Sequence, residues 1–341
     1  MIQDLIKYNN NSNSLKVSDT AIYKYLNEKG NNFFCAQFEF IERDITNILT
    51  RIPAMFSNYT NHDITHSYRV ADYMVSLLPV PLNNYDDTEL AIMLEAAIFH
   101  DVGMSISETE NNIDISKQSE IRKTHHIRSY AYVMKKAKKE YFKIDNFSEV
   151  FFDKQIALLV QSHGEDYDWI KSHISRSEVL GSQRCNPAFI SVLLRLGDYL
   201  DFDSRRTPLA LFNNLCLSEF SDSEWKKHFV ITNYPKINEQ RQIYFCGNCE
   251  EPETFHQVQL YIRSIEDEID SAKRFLSNEE KKYQLDIENN ILNQISHEKF
   301  TAVDLKYEMD YATISSLLMG ENLYSDKKIV LRELIQNSID A

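Results

Sequence analysis

Apolar side chains recur at steps of three and four residues along much of this chain, and several of these stripes end in a histidine or an aspartate. This spacing places the apolar residues on one face of an α-helix. A polar group on such a face is costly to bury unless a partner compensates it. The residues concerned are His66, the adjacent His100 and Asp101, His163 and Asp198, with His125 on a less regular spacing. Several such residues converging in a helical core indicate a bound cation.

Composition supports a mainly α fold. The 341 residues include seven glycines and seven prolines, few for a loop-rich β protein, and 43% are hydrophobic, enough for a large core. Two β-branched and aromatic segments, HFVITNY and RQIYFCG, predict one small β-hairpin. A long charged helix is predicted at roughly 253–277, and a second amphipathic segment near 283–295.

These changes of pattern divide the chain into four segments. The final helical pattern is still running at the last residue, so we expect a longer protein to continue beyond it. The predicted segments are a polar helical part at 1–32, the metal-binding helical domain at 33–215, a hairpin with a helical extension at 216–300, and a separate unit at 301–341.

The net charge and the cysteines limit which functions and cellular locations we expect for this chain. The formal net charge of −14 lowers the expectation of non-specific nucleic-acid binding, which needs clustered lysine and arginine. The five cysteines show no disulfide framework, no signal peptide opens the chain, and the apolar runs are too short to cross a bilayer. We therefore expect a cytoplasmic protein without a membrane partner, and the charged helix offers a surface for a possible homodimer.

The motifs HSYRVADY, FHDVG, HHIRS, SHG and LRLGDYLD resemble those of the HD phosphohydrolase superfamily over about 33–212. The resemblance implies an HD helical bundle with a divalent metal held by His66, His100, Asp101 and Asp198. It gives His125 and His163 a catalytic role, either at a second metal or in orienting phosphate and moving protons. Manganese, iron, magnesium, nickel and zinc all suit such ligands, as one or two ions.

The last residues carry a different motif, LRELIQNSIDA. Glu333, Asn337 and Asp340 are spaced by four and three, so they share a helix face. The motif resembles the first nucleotide-binding helix of the Hsp90-like ATPases, an α/β family. The resemblance implies that Glu333 activates the attacking water and that Asn337 and Asp340 belong to the Mg-ATP site. The remaining ATP-binding motifs would follow the last residue, so Mg-ATP is expected only in the complete protein.

The primary hypothesis is a metal-dependent phosphohydrolase acting on a nucleotide or another small phosphorylated or cyclic nucleotide, gated by the ATPase. Such a fusion resembles proteins of bacterial conflict and antiviral systems. One alternative is an HD-type nuclease on single-stranded nucleic acid. The other is an ATP-driven clamp or chaperone-like interaction protein whose HD metal site is not catalytic.

Overall fold

Helices dominate the protein, as the sequence predicts. The structure, a computed structural model, describes residues 15–52, 63–105, 115–207, 219–301, 332 and 335–339. The chain divides into two compact units, Met1–Phe300 and Thr301–Ala341. In the second unit, residues 335–339 are helical. The boundaries predicted at 32 and 215 stay predictions.

The α-helices of the first unit are numbered here in chain order, over the described ranges. They are α1 (Ala21–Glu28), α2 (Asn32–Leu49), α3 (Ile64–Leu77), α4 (Asp87–Phe99), α5 (Ile115–Lys135), α6 (Asp153–Ser162), α7 (Tyr167–His173), α8 (Pro187–Leu200), α9 (Glu219–Val230) and α10 (Pro252–Leu276). Short 3₁₀ turns lie at Val17–Asp19, Leu82–Asn84, Val102–Met104, Lys139–Phe142, Ser204–Arg206 and Lys281–Tyr283.

Polar caps fix where the site-bearing helices begin. The Asp63 carboxylate accepts hydrogen bonds from the backbone N–H groups of Thr65 and His66, at the start of α3. The Asn186 side chain caps α8, and Pro187 occupies its first turn, where the missing N–H costs nothing. These caps set the starting points of two of the helices that carry candidate metal ligands.

Helix α4 is the central helix of the bundle. Every residue from Thr88 to Phe99 is buried, and α4 packs against α3, α6 and α8. A helix that is apolar on all sides belongs in a core rather than at a surface. Because α4 ends just before His100, the adjacent His100 and Asp101 lie inside the bundle.

Over the described ranges, two small sheets accompany the helices, one more than the sequence predicts. The strands β1 (Glu178–Leu180) and β2 (Gln183–Cys185) form an unpredicted hairpin. The predicted hairpin is present as β3 (Ile231–Ile237) and β4 (Ile243–Asn248), which pair antiparallel. A fifth strand, β5 (Leu292–Ser296), pairs parallel to β4. The amphipathic segment predicted near 283–295 therefore includes a strand, joined to β4 through α10.

The buried Glu89 links α4 to the segments around it. Its carboxylate accepts hydrogen bonds from the Asn186 backbone N–H at 2.8 Å and from the Tyr283 hydroxyl at 3.2 Å. Burial raises the pKa of this carboxyl from 4.5 to about 7, although the Asn186 hydrogen bond lowers it. The folded chain therefore holds a proton here that the unfolded chain releases at lower pH.

We expect Glu89→Gln to remove a pH dependence of stability. Because the proton is bound more tightly in the folded chain, this group lowers the free energy of unfolding as pH rises from 4.5 to about 7. The loss amounts to roughly 3 kcal/mol. Urea unfolding at pH 5 and pH 8 should show a smaller difference for Glu89→Gln than for the wild type or for the surface control Glu28→Gln. Equal differences in all three proteins would contradict the expectation.

Candidate metal centre

Five helices bring the six predicted site residues to one place. His66 lies in the first turn of α3, and His125 lies on α5. His100 and Asp101 follow α4, His163 follows α6, and Asp198 lies near the end of α8. The side chains that the sequence predicts to converge therefore do so, from positions spread over more than 130 residues of chain.

The inner group consists of His66, His100, Asp101 and Asp198. His66 Nε2 lies 3.5 Å from Asp101 Oδ2 and 3.3 Å from Asp198 Oδ1. His100 Nε2 lies 3.2 Å from the same Asp101 oxygen and 4.0 Å from Asp198 Oδ1. Both imidazoles are fully buried. The ligand atoms of His66, His100 and Asp101 all lie within 4.8 Å of one another, which is close enough for one ion to contact all three.

The outer group consists of Asp101, His125 and His163, whose ligand atoms also lie within 4.8 Å of one another. His125 Nε2 is 3.4 Å from Asp101 Oδ1 and 2.7 Å from His163 Nε2. Asp101 thus turns one carboxylate oxygen toward each group. The arrangement offers two adjoining places for a cation that share one carboxylate.

The hydrogen bonds of the four imidazoles fix their tautomers. In each ring Nδ1 contacts an oxygen that accepts: Asp201 Oδ2 for His66 at 2.6 Å, and the carbonyl oxygens of Ala97 for His100 at 2.7 Å, Arg122 for His125 at 2.5 Å and Val160 for His163 at 2.6 Å. Nδ1 therefore donates, and a neutral imidazole then keeps its lone pair on Nε2. The lone pairs of His66 and His100 therefore point into the inner group, and those of His125 and His163 point into the outer group.

Two consequences of this arrangement indicate a cation. Among the residues that the structure describes, the buried Nε2 of His100 makes no contact with hydrogen-bond geometry, although Asp101 Oδ2 lies 3.2 Å away. The lone pairs of His125 and His163 face each other at 2.7 Å, which is unfavourable unless a proton or a metal ion lies between them. The donor set, imidazole nitrogen with carboxylate oxygen, is one that divalent metals accept. The residues present therefore fit a metal ion.

The comparisons with known proteins agree with this geometry. The family model HD-CE matches residues 56–271, more than half of the chain, and the match includes all six site residues. The chain belongs to the HD-CE family. A search of curated proteins and a search of solved structures each found no match. The HD resemblance of the sequence is confirmed at the family level. The family and the His/Asp cluster together suggest that this HD-CE protein is a metal-dependent hydrolase.

Electrostatics of the inner group in this HD-CE protein favour an added positive charge. Burial and the Arg206 charge lower the pKa of His66, but the carboxylates of Asp101, Asp198 and Asp201 outweigh them and raise it to about 10. Such a shift means that the surroundings stabilise a cation at this imidazole. A metal ion among these carboxylates would supply that charge in place of the proton.

The outer group behaves in the opposite way. Burial, together with the neighbouring His125 and His100, holds the pKa of His163 well below its usual value. His163 therefore stays neutral near pH 7, the form in which an imidazole binds metal or accepts a proton.

Asp201 and Arg69 support the HD-CE site, and sequence reasoning missed both. The fully buried Asp201 carboxylate accepts from Arg69 Nε at 2.7 Å and from Arg69 Nη2 at 2.9 Å, while its Oδ2 also holds His66 Nδ1. Burial raises the pKa of Asp201, but the Arg69 charge and His66 hold it well below its usual value. The sequence held one signal for these two residues. Arg69 lies three residues after His66 and Asp201 lies three residues after Asp198, so each is about one helical turn from a predicted ligand.

A glycine permits the close contact between the Asp101 segment and α5. A Cβ on Gly103 would lie 2.1 Å from the backbone oxygen of His125, so no larger residue fits there unless the backbone moves. The Ser129 hydroxyl accepts from Gly103 N at 2.9 Å and donates to the His100 carbonyl at 2.5 Å. This contact holds the outer-group histidine of α5 beside Asp101.

The arginine of the HHIRS motif and the two arginines that follow GDYLD occupy different surroundings. Arg128 donates to the carbonyl oxygens of Gly103 and Ser105, so it holds the loop after Asp101. Arg205 pairs with Asp203 at 2.6 Å. Arg206 Nη1 lies 3.9 Å from Asp198 Oδ1 and brings its positive charge to the edge of the inner group.

The ATPase motif lies largely beyond the described residues. Glu333 and Asp340 lie outside them, whereas Asn337 lies on the helical segment 335–339 and is exposed. The HD-CE match ends at residue 271 and does not reach the motif. The Hsp90-like resemblance and the Mg-ATP site thus stay predictions. In the part of the chain that is described, none of the helices has the length and apolar character needed to cross a membrane.

Proposed function

We propose that this HD-CE protein is a divalent-metal-dependent phosphohydrolase acting on a nucleotide or another small phosphorylated or cyclic nucleotide. One observation carries the proposal: four imidazole lone pairs converge on two carboxylates inside a helical bundle. The HD-CE family assignment supports the hydrolase class.

The residues of the two groups would hold the metal. His66, His100, Asp101 and Asp198 would hold one ion. Asp101 with His125 and His163 would hold a second ion, because the Asp101 carboxylate faces both groups. When bound, a divalent ion makes water a hydroxide-like nucleophile near neutral pH and withdraws charge from a phosphoryl oxygen.

Side chains around the ligands would perform the remaining tasks. The Nε2 atoms of His125 and His163, which lie 2.7 Å apart, would be placed to accept a proton and to pass it to the leaving oxygen of the substrate. The Arg206 guanidinium, 3.9 Å from Asp198, is placed to bind a phosphate oxygen at the edge of the inner group. Burial of both inner histidines excludes water from behind the metal.

Regulation by Mg-ATP is a further part of the proposal. It is supported by the spacing of Glu333, Asn337 and Asp340, which resembles the nucleotide-binding helix of Hsp90-like ATPases. A longer protein that completes this ATPase would gate the HD-CE site. An antiviral role is supported only by the resemblance of this combination to fusions in bacterial conflict systems.

The test is metal analysis of the purified chain, followed by phosphate release from a panel of nucleotides with each divalent ion. We expect bound metal and release in the wild type, and a loss of release of about a hundredfold or more in His100→Ala. His173→Ala, on the exposed end of α7, is the matched control and should keep both properties. Absence of bound metal together with absence of release would overturn the proposal. Cleavage of single-stranded DNA or RNA, without phosphate release from any nucleotide of the panel, would favour the nuclease alternative.

A further inference from the structure

A cleft of about 620 Å³ lies on the outer side of α3, beside β3 and the β3–β4 turn. Its volume falls in the range of small-molecule sites. None of the six candidate metal-site residues lines it. The residues that matter for its chemistry are Arg69, Tyr73, Arg205, Tyr234, Lys236 and Arg241.

The cleft concentrates positive charge in an acidic protein. Four of its lining residues are cationic and one, Asp72, is anionic, whereas the whole chain carries −14. Arg69 is paired with Asp201, and Arg205 is paired with Asp203. The charge that no ion pair among the described residues offsets therefore comes from Lys236 and Arg241. The Lys236 ammonium forms no ion pair with a carboxylate in the part of the chain that the structure describes, and its Nζ lies 4.8 Å from the centre of the Tyr234 ring. Arg205 also lies over that ring, with Cζ at 4.7 Å from its centre. Cations gathered around a polarisable ring suit a multiply charged anion.

The floor of the cleft is rigidly built. Arg241 adopts a positive φ of 57° in the β3–β4 turn, and its guanidinium donates to the carbonyl oxygens of Ser76, Leu77 and Leu78 at the end of α3. These bonds fix the turn against the helix that carries His66. A preformed site loses less conformational entropy on binding than one that must assemble.

A short chain of contacts joins the cleft to the metal centre. Arg69 lines the cleft, and its Nε and Nη2 bind the Asp201 carboxylate, which in turn holds His66 Nδ1. Arg205 approaches the same Asp201 carboxylate at 3.8 Å. An anion that attracts either guanidinium would weaken its hold on Asp201 and so change how firmly His66 is oriented.

We infer that this cleft binds a small anion carrying two or more phosphate groups, and that its occupancy changes the metal affinity of the site behind it. The binding does not depend on the proposed hydrolysis, since the cleft residues and the candidate metal ligands are separate sets. Coupling of this kind is reciprocal, so bound metal changes anion affinity by the same factor.

Calorimetry with inorganic pyrophosphate tests the binding in chelator-treated, metal-free protein. We expect Lys236→Met to weaken binding by about tenfold, because one charge-assisted contact is lost. The exposed Lys171→Met makes the same charge change on α7 and should bind as the wild type does. Added salt should weaken binding in the wild type. No binding to the wild type, or equal affinity in Lys236→Met, would overturn the assignment of the cleft.

Metal affinity measured with and without pyrophosphate tests the coupling. Pyrophosphate also binds metal in solution, and this lowers the apparent metal affinity of the wild type and of Lys236→Met equally. A difference between the two proteins therefore reports pyrophosphate bound in the cleft. At a pyrophosphate concentration near the dissociation constant of the wild type, we expect the metal affinity of the wild type to change by about twofold or more relative to that of Lys236→Met, whose cleft is then mostly empty. Equal shifts would overturn the coupling. Both readouts are independent of hydrolysis, so an inactive protein that binds pyrophosphate would contradict the proposed function alone.

Discussion

Replacement of Asp101 by asparagine is expected to remove bound metal and to lower phosphate release by roughly a thousandfold. Asp101 is the one residue shared by both candidate groups, with Oδ2 toward His66 and His100 and Oδ1 toward His125. Asparagine keeps the volume of the side chain but removes the charge that would neutralise an ion. Metal content by mass spectrometry and phosphate release on the best nucleotide of the panel measure the two effects.

The control for Asp101→Asn is Asp168→Asn, which makes the same change on the exposed surface of α7. It should keep full metal content and full release. Comparison of its metal content with that of His100→Ala distinguishes one bound ion from two. His100 belongs to the inner group alone, whereas Asp101 belongs to both groups. If Asp101→Asn retains both its metal and its activity, the shared-carboxylate arrangement is wrong.

Replacement of Asp201 by asparagine is expected to lower metal affinity by about ten- to a hundredfold, because the acceptor that orients His66 is weakened. We also expect a loss of stability of about 3 kcal/mol, since the Arg69 charge would lose its partner in a largely buried place. Metal titration measures the first effect, and urea unfolding of the metal-free protein measures the second.

The double variant Arg69→Met with Asp201→Asn separates these two effects. Removing both charges leaves no unpaired buried ion, so much of the stability should return. The metal affinity should stay low, because His66 Nδ1 still lacks its carboxylate. Recovery of metal affinity in the double variant would show that Asp201 acts on the fold and not through His66.

The ligand positions were predictable because polar residues at the ends of apolar stripes are conspicuous. His66, His163 and Asp198 each lie where a stripe would place a core residue. In the structure His66 Nε2 lies 3.3 Å from Asp198 Oδ1, and His163 belongs to the adjoining outer group. Asp201 follows Asp198 at a spacing of three, but it lies just past the end of α8, where an acidic residue is commonly exposed. Arg69 was missed for a related reason, because an arginine on α3 is expected to face solvent.

The strand β5 shows a second limit of the sequence. Of its five residues only Ile295 is buried, so the alternation that predicts a strand is weak. Its partner β4 precedes it by more than forty residues. The residues near each strand do not indicate a partner that far along the chain. The helix α4 poses the reverse problem, because a segment buried on all sides shows no preferred face.

The parallel pairing of β4 with β5 also defines where the folding unit ends. The HD-CE match stops at residue 271, inside α10, whereas β5 and the buried Leu276 and Ile291 come later. A fragment cut at the family boundary would expose the edge of β4 and part of the apolar face of α10. Open strand edges recruit other chains, so such a fragment would be prone to aggregate. Expression boundaries placed after residue 300 keep the sheet closed on that side.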